Sequence, residues 1–153
     1  MFELVKLQEK YVKGRSIRTS NALEMTEERK IPEHWQRYFE EEKNGSAPQV
    51  IALYSDYESD ENGEYLLTIG AFVEENEQNA IFLPPTTYAK FQSRKGPIDE
   101  IVLETWQIIW QWDKRQYRTY TGDYELYDER ALNPKEAQVD IYIAVRDEIS
   151  SQN

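Results

Sequence analysis

Apolar positions along this chain recur mostly at a spacing of two, and at helical spacing in two longer stretches. The clearest alternation lies near the C-terminus, where Val139, Ile141, Ile143 and Val145 interleave with Asp140, Tyr142 and Ala144. A period of two sends these sets to opposite faces of a sheet, so residues 137–145 read as a strand. Residues 122–128 read as its neighbour, with Glu125 and Tyr127 on one face and Tyr124 and Leu126 on the other. Further strands are expected over 49–57 and 64–74, joined across Asp60-Glu61-Asn62-Gly63, whose Asn-Gly pair is a short-range hairpin signal. Residues 79–91 predict one strand or a bent pair, with Pro84-Pro85 at an edge or bend because neither proline can donate to a ladder. One or two strands, punctuated by Gly14, are expected over 3–18, and Ser20-Asn21 supplies helix-start chemistry for a short turn.

Helical spacing takes over in two places. Over 31–40, Pro32 suits a first turn and Ile31, Trp35, Tyr38 and Phe39 fall on one stripe, with Asn44-Gly45-Ser46 as the expected end. Pro97 opens a second helix over 98–112. Ile98, Ile101, Val102, Thr105, Ile109 and Trp112 share one face there, Trp106 and Ile108 flank it, and Leu103 and Trp110 point elsewhere. Residues 150–153 read as a frayed tail.

The order strand, helix, strand, strand occurs twice. Trp35-Gln36 aligns with Trp106-Gln107, Leu53-Tyr54 with Leu126-Tyr127, and Leu67-Thr68-Ile69 with Ile141-Tyr142-Ile143. The expected fold is therefore α+β: duplicated βαββ halves, about 1–76 and 77–149, related by a pseudo-two-fold. One domain over 1–153 would hold one antiparallel sheet and two main helices. A groove between such halves is a natural ligand site, because pockets favour junctions between structural units.

Charge and composition narrow the chemistry. The chain has 153 residues, enough for one core, and a net charge of -11 with acidic residues spread along its length. Nucleic-acid phosphate is not an expected direct partner, since it calls for clustered Lys and Arg. There is no cysteine, and the one histidine, His34, is expected on the exposed polar side of the first helix beside Glu33, Gln36 and Arg37. No metal and no cofactor are expected from such a set. Asp56, Glu58, Asp60 and Glu61 lack calcium-loop spacing and read as an acidic hairpin tip. Residues 1–13 carry Glu3, Lys6, Glu9 and Lys10 and no long apolar run, so neither a signal peptide nor a membrane span is expected and the cytoplasm is the default location. No phosphate loop, dinucleotide fingerprint or nucleophile elbow is present, and no catalytic residue is assigned.

Aromatic residues make up 13% of the chain, mostly Tyr and Trp, which suit wet pockets as well as cores. Strand pattern alone leaves Glu125 open to two readings, a solvated strand glutamate or a carboxylate turned into a pocket. In a pocket it would pair with a lipophilic cation, to which the surrounding rings add apolar and cation–π contact. Acid–base work, if any, would rest on Glu125 with Tyr127 or Tyr88. Trp110, off the main stripe, could line a pocket, join an interface or be partly exposed.

Several runs together resemble the GyrI-like, or AraC-type effector-binding, domain family. They are Val12-Lys13-Gly14-Arg15-Ser16-Ile17-Arg18-Thr19-Ser20-Asn21, Ile31-Pro32-Glu33-His34-Trp35, Tyr54-Ser55-Asp56-Tyr57-Glu58-Ser59-Asp60 and Gly63-Glu64-Tyr65. Later come Ile108-Ile109-Trp110-Gln111-Trp112, Tyr124-Glu125-Leu126-Tyr127-Asp128-Glu129 and Val139-Asp140-Ile141-Tyr142-Ile143. That family includes ligand-sensing domains of multidrug-responsive bacterial regulators and gyrase-inhibitory proteins. The resemblance implies a duplicated βαββ fold with a central groove, and a glutamate of an aromatic-Glu-x-Tyr strand that meets cationic, lipophilic ligands. Residue by residue this carries to Glu125, with Tyr127 as its companion. Tyr57, Tyr65, Trp106, Trp110 and Tyr142 join the expected ligand-binding set from aromatic character and strand face. Many relatives carry a helix-turn-helix reader for which there is no room here, so the chain is expected to act as a stand-alone binding module linked to transcription regulation or drug response. A Glu/Tyr-dependent small-molecule hydrolase and an acidic protein-interaction module such as a gyrase inhibitor are the alternatives. A protein partner or a homodimer stays open.

Overall fold

A computed structural model describes residues 2–41 and 49–151. The strands are β1 (Phe2–Leu7), β2 (Lys10–Ser20), β3 (Val50–Ser55), β4 (Glu64–Val73), β5 (Ile81–Leu83), β6 (Thr86–Gln92), β7 (Asp123–Tyr127) and β8 (Asp140–Val145). The helices are α1 (Asn21–Glu24), α2 (Ile31–Glu41) and α3 (Ile98–Trp110). All eight strands form one sheet in the order β1-β6-β8-β7-β3-β4-β2-β5, and every pairing is antiparallel. No helix among the described residues is long and apolar enough to cross a membrane.

The strand order is that of a two-fold repeat. Reflected about the β7–β3 junction, β8 matches β4, β6 matches β2, and β1 matches β5. Each half is thus the expected βαββ unit with one extra leading strand, and that strand crosses over: β1 pairs with β6, and β5 with β2. The bent pair expected over 79–91 is β5 and β6, parted at Pro84-Pro85.

The connections force the sheet to curl. Only Gln8 and Glu9 join β1 to β2, and only the two prolines join β5 to β6. Such links reach about 11 Å, whereas in a flat sheet the strands they connect would lie roughly 28 Å apart. The face without helices is consequently closed by the sheet itself. Val12, Ile51, Leu53, Leu83, Tyr88, Tyr124 and Ala144 are buried there.

The other face carries the helices. In α2, Tyr38 packs on Ala52, Leu67 and Ile69; in α3, Trp106 and Ile109 pack on Ala89, Phe91, Ile141 and Ile143. The Glu24 carboxylate accepts from the backbone N–H groups of Lys30 and Ile31 and so anchors the start of α2. The two central strands, β3 and β7, run beneath the space between the helices, and Tyr54 touches both cores.

Several sequence expectations change. His34 is buried at 2% exposure, with its Nε2 3.2 Å from the Leu67 carbonyl. The packed stripe is Ile31, His34, Trp35 and Tyr38, one residue round from the expected one, and Phe39 is exposed. The hairpin expected across residues 60–63 forms, with β3 and β4 paired antiparallel, but its loop is longer than expected: β3 ends at Ser55, and residues 56–63 make the connection, in which Asp60 accepts from Asn62 N. Register also slides the repeat alignment of the last strands by two residues, keeping the face. Gly70 pairs with Ile51 as Tyr142 pairs with Tyr124, so Ile69 corresponds to Ile141. The end expected at Asn44-Gly45-Ser46 lies outside the described residues. Of the expected tail, Ser150 and Ser151 belong to a 3-10 turn, Asp147–Ser151, whose Ile149 is buried, while 152–153 lie outside the described residues.

Candidate functional site

Alternation along β7 points Glu125 to the helix-bearing face, and register places it opposite Ala52 on β3. The repeat aligns Ala52 with Glu125 and Tyr54 with Tyr127, so the pseudo-two-fold axis passes through the Ala52–Glu125 pair. The carboxylate lies at the centre of symmetry, facing a side chain small enough to leave it room. The two equivalent tyrosines close on it from either side: Tyr127 Oη donates to Glu125 Oε1 at 2.5 Å, and Tyr54 Oη to Oε2 at 2.8 Å. Trp106, one of the aligned helix tryptophans, donates Nε1–H to Oε2 at 2.7 Å. Trp35, the other, meets Tyr127 edge-on at 5.1 Å.

Glu125 is 2% exposed. Burial pushes its pKa above the usual carboxylate value, and the bonds from Tyr127, Trp106 and Tyr54 pull it back only in part. Burial, then the neighbouring Glu125 charge, raises the Tyr54 and Tyr127 hydroxyls well above their ordinary range, so both remain donors. Around this centre the rings are continuous. Tyr54 contacts Tyr65 and Trp106, each at 5.2 Å, and Trp106 stacks on Trp110 at 6.1 Å. Trp35 stacks on the exposed Phe39 at 5.8 Å. With so little of Glu125 exposed, the space between the helices is filled here by the protein's own side chains.

The structure therefore brings together Glu125, Tyr127, Trp106, Trp110 and Tyr65 of the expected set. Tyr57 stands further out; its ring touches Tyr65 at 6.1 Å, but its hydroxyl donates to Asp123 at 2.6 Å. Tyr142 is not at this centre. It lies on the opposite face, stacked 4.6 Å from Tyr124, and Tyr88 packs beside them. Tyr54 and Trp35 were missing from the expected set, although the internal repeat held the signal, since they align with Tyr127 and Trp106.

A second polar group sits outside the centre. Asp123, fully buried, accepts from Arg118 Nη2 at 2.9 Å and from the backbone N–H of Ala144 at 2.8 Å, besides Tyr57. Its ion pair with Arg118 is almost wholly withdrawn from solvent. No local pattern marks Arg118, which falls between a 3-10 turn (Arg115–Tyr117) and β7. Two open clefts lie elsewhere than Glu125. One of about 320 Å³ runs beside Arg130 and Leu132; another of about 410 Å³ lies beside Arg118 and Tyr120. Among the described residues no group of three or more His, Asp or Glu side chains could hold a metal ion.

Comparison with known proteins agrees with this architecture. The chain is 49% identical to YobU of Bacillus subtilis (strain 168), whose name provisionally describes a transcriptional regulator protein, over 87% of this chain and 90% of that one. The fold matches an integron cassette protein from the mobile metagenome of Vibrio cholerae at a TM-score of 0.75, with 24% identity over 95% of both chains. It also matches SAV2435, solved bound to tetraphenylphosphonium, at a TM-score of 0.74 and 15% identity, over 96% of this chain and 94% of the other. A family model described as Cass2, integron-associated effector binding protein, spans residues 3–145, and the chain belongs to that family.

Proposed function

We propose that this protein is a non-enzymatic receptor for lipophilic cations, working in the cytoplasm as one effector-binding unit in which both halves build the site around Glu125. The observation that carries this reading is a buried carboxylate on the pseudo-two-fold axis, held by two tyrosines and a tryptophan inside an aromatic cluster. A bulky lipophilic cation with its charge sheathed in rings could exchange those hydrogen bonds for charge pairing and ring contact, at less desolvation cost than a compact ammonium. The family description supports an effector, the tetraphenylphosphonium complex of SAV2435 supports its class, and the name of YobU supports a link to transcription. Kinship with the wider GyrI-like and AraC-type domains belongs to the same reading.

Tryptophan fluorescence with tetraphenylphosphonium as the probe tests it, on the wild type and Glu125→Gln. The wild type is expected to bind more tightly as pH rises through the raised Glu125 pKa. Glu125→Gln should bind at least about tenfold more weakly, a loss of about 1.4 kcal/mol, with no such pH dependence. Equal affinity in both proteins removes the charge-pairing role. A second reading, a hydrolase with Glu125 and Tyr127 as its acid–base pair, draws on their direct contact. Turnover of a reactive cyclopropane-bearing compound that is lost in Glu125→Gln would favour it over the receptor.

A further inference from the structure

Each of the two aligned helix tryptophans carries a second ring one helical turn further on. Trp35 aligns with Trp106, so Phe39 in α2 aligns with Trp110 in α3. The structure repeats the geometry as well as the order. Phe39 stacks on Trp35 with centroids 5.8 Å apart and planes at 28°, and Trp110 stacks on Trp106 at 6.1 Å and 29°. The inner ring of each pair reaches the Glu125 centre: Trp106 donates to the carboxylate, and Trp35 meets its donor Tyr127. The outer rings lead away from that centre towards solvent, with Phe39 60% exposed and Trp110 half-buried.

A single exposed phenylalanine needs no explanation. Phe39 differs because the other half of the repeat sets an aromatic ring at the same position, in the same stack, while Phe39 itself lies outside the buried stripe of α2. The two-fold axis through the Ala52–Glu125 pair reverses α2 relative to α3. The outer rings therefore stand on opposite sides of the carboxylate, each about 6 Å further along its helix than the inner ring. Shape repeats across the axis, but charge does not. Glu125 pairs with Ala52, so one carboxylate serves two aromatic arms.

We infer that Phe39 and Trp110 are paired ligand contacts that select a monocation whose charge lies between two aryl arms. The charge meets Glu125, and each outer ring holds one arm. Ring-on-ring contact adds to the burial of apolar area, so filling both places is favoured over filling one. A cation with its rings on one side only reaches one outer ring and leaves the other in water. This inference rests on the receptor reading of Glu125 and specifies the shape of its ligand.

The test is isothermal titration calorimetry of the full chain with two isomeric cations. In dibenzyldimethylammonium the nitrogen lies between two rings; in (diphenylmethyl)trimethylammonium the same atoms put both rings on one side of the charge. The first is expected to bind at least about fivefold more tightly, the worth of one additional aromatic contact. Phe39→Leu and Trp110→Leu should each remove that preference. Neither should weaken benzyltrimethylammonium by more than about twofold, because a one-armed cation turns to the ring that remains. Phe39→Trp and Trp110→Phe keep a ring in place and should keep the preference, which separates loss of a ring from a disturbed helix. If the isomers bind equally, or if Phe39→Leu retains the preference, this inference is overturned while the receptor reading stands. If none of the three cations binds the wild type, both are overturned.

Discussion

Replacing Tyr127 with phenylalanine strips one oxygen of Glu125 and leaves the other served. Among the described residues, Tyr127 is the donor to Oε1, whereas Oε2 receives both Tyr54 and Trp106. A hydrogen bond to a charged group is worth about 1.5–3 kcal/mol. Its loss from the ionised form should raise the proton affinity of the carboxylate by roughly 10- to 100-fold. Tyr54→Phe should do less, because the 2.7 Å Trp106 bond remains on the same oxygen. The sign follows from the folded carboxyl holding its proton to higher pH than the unfolded one, whose usual value is 4.5. Its contribution to stability is therefore complete below that value and is lost as pH rises through the folded pKa. The cost of Tyr127→Phe should appear above the wild-type titration and fade below it, where Glu125 is neutral in both proteins. Carbon-13 NMR of the labelled Glu125 carboxyl, with thermal unfolding across the same pH range, reads both quantities. Equal displacement of the titration in the two variants, or a Tyr127→Phe cost that ignores pH, would refute the division of donors between the two oxygens.

Other parts of the molecule give further expectations. A Cβ on Gly70 would stand 2.0 Å from the Lys13 carbonyl oxygen and 2.6 Å from Gly14 Cα. Gly70→Ala should thus cost about 3 kcal/mol or more, read by urea denaturation, because the obstruction is backbone. Asp123→Ala leaves the buried Arg118 charge unpaired and should cost about 3–5 kcal/mol in the same assay; a loss below about 1 kcal/mol would mean that water reaches the guanidinium. Burial holds the His34 imidazole below its usual pKa of 6.5, so the unfolded chain takes up the proton first. His34 should contribute stability above that value and lose it as pH falls, and the slope of Tm over about pH 7 to 5 should flatten in His34→Gln.

Much of the architecture was legible because its determinants are local. Alternation in 137–145 and 122–128 assigned the faces of β7 and β8, and so put Glu125 and Tyr127 side by side. The two prolines parted β5 from β6, and helical spacing located α2 and α3. The order of elements exposed the duplication, though the crossover of β1 and β5 onto opposite halves left no local trace. His34 was misplaced by one position of helix rotation. Phe39 is the more apolar choice for a buried stripe, and only packing against Leu67 and Ile69 decides the rotation.

The candidate site divides along the same line. The sequence by itself determined which residues share a strand face with Glu125 and, through the repeat, that Tyr54 is the counterpart of Tyr127. It could not bring Tyr54, Trp106 and Tyr127 to one carboxylate, keep Tyr142 away from it, or bury Arg118 against Asp123. Those outcomes depend on register between strands far apart in the chain and on a sheet curled by two short links. Side-chain periodicity records only which way a residue faces. What it faces is set by long-range pairing, and at Glu125 that pairing turns an ordinary strand glutamate into a buried carboxyl group on a symmetry axis.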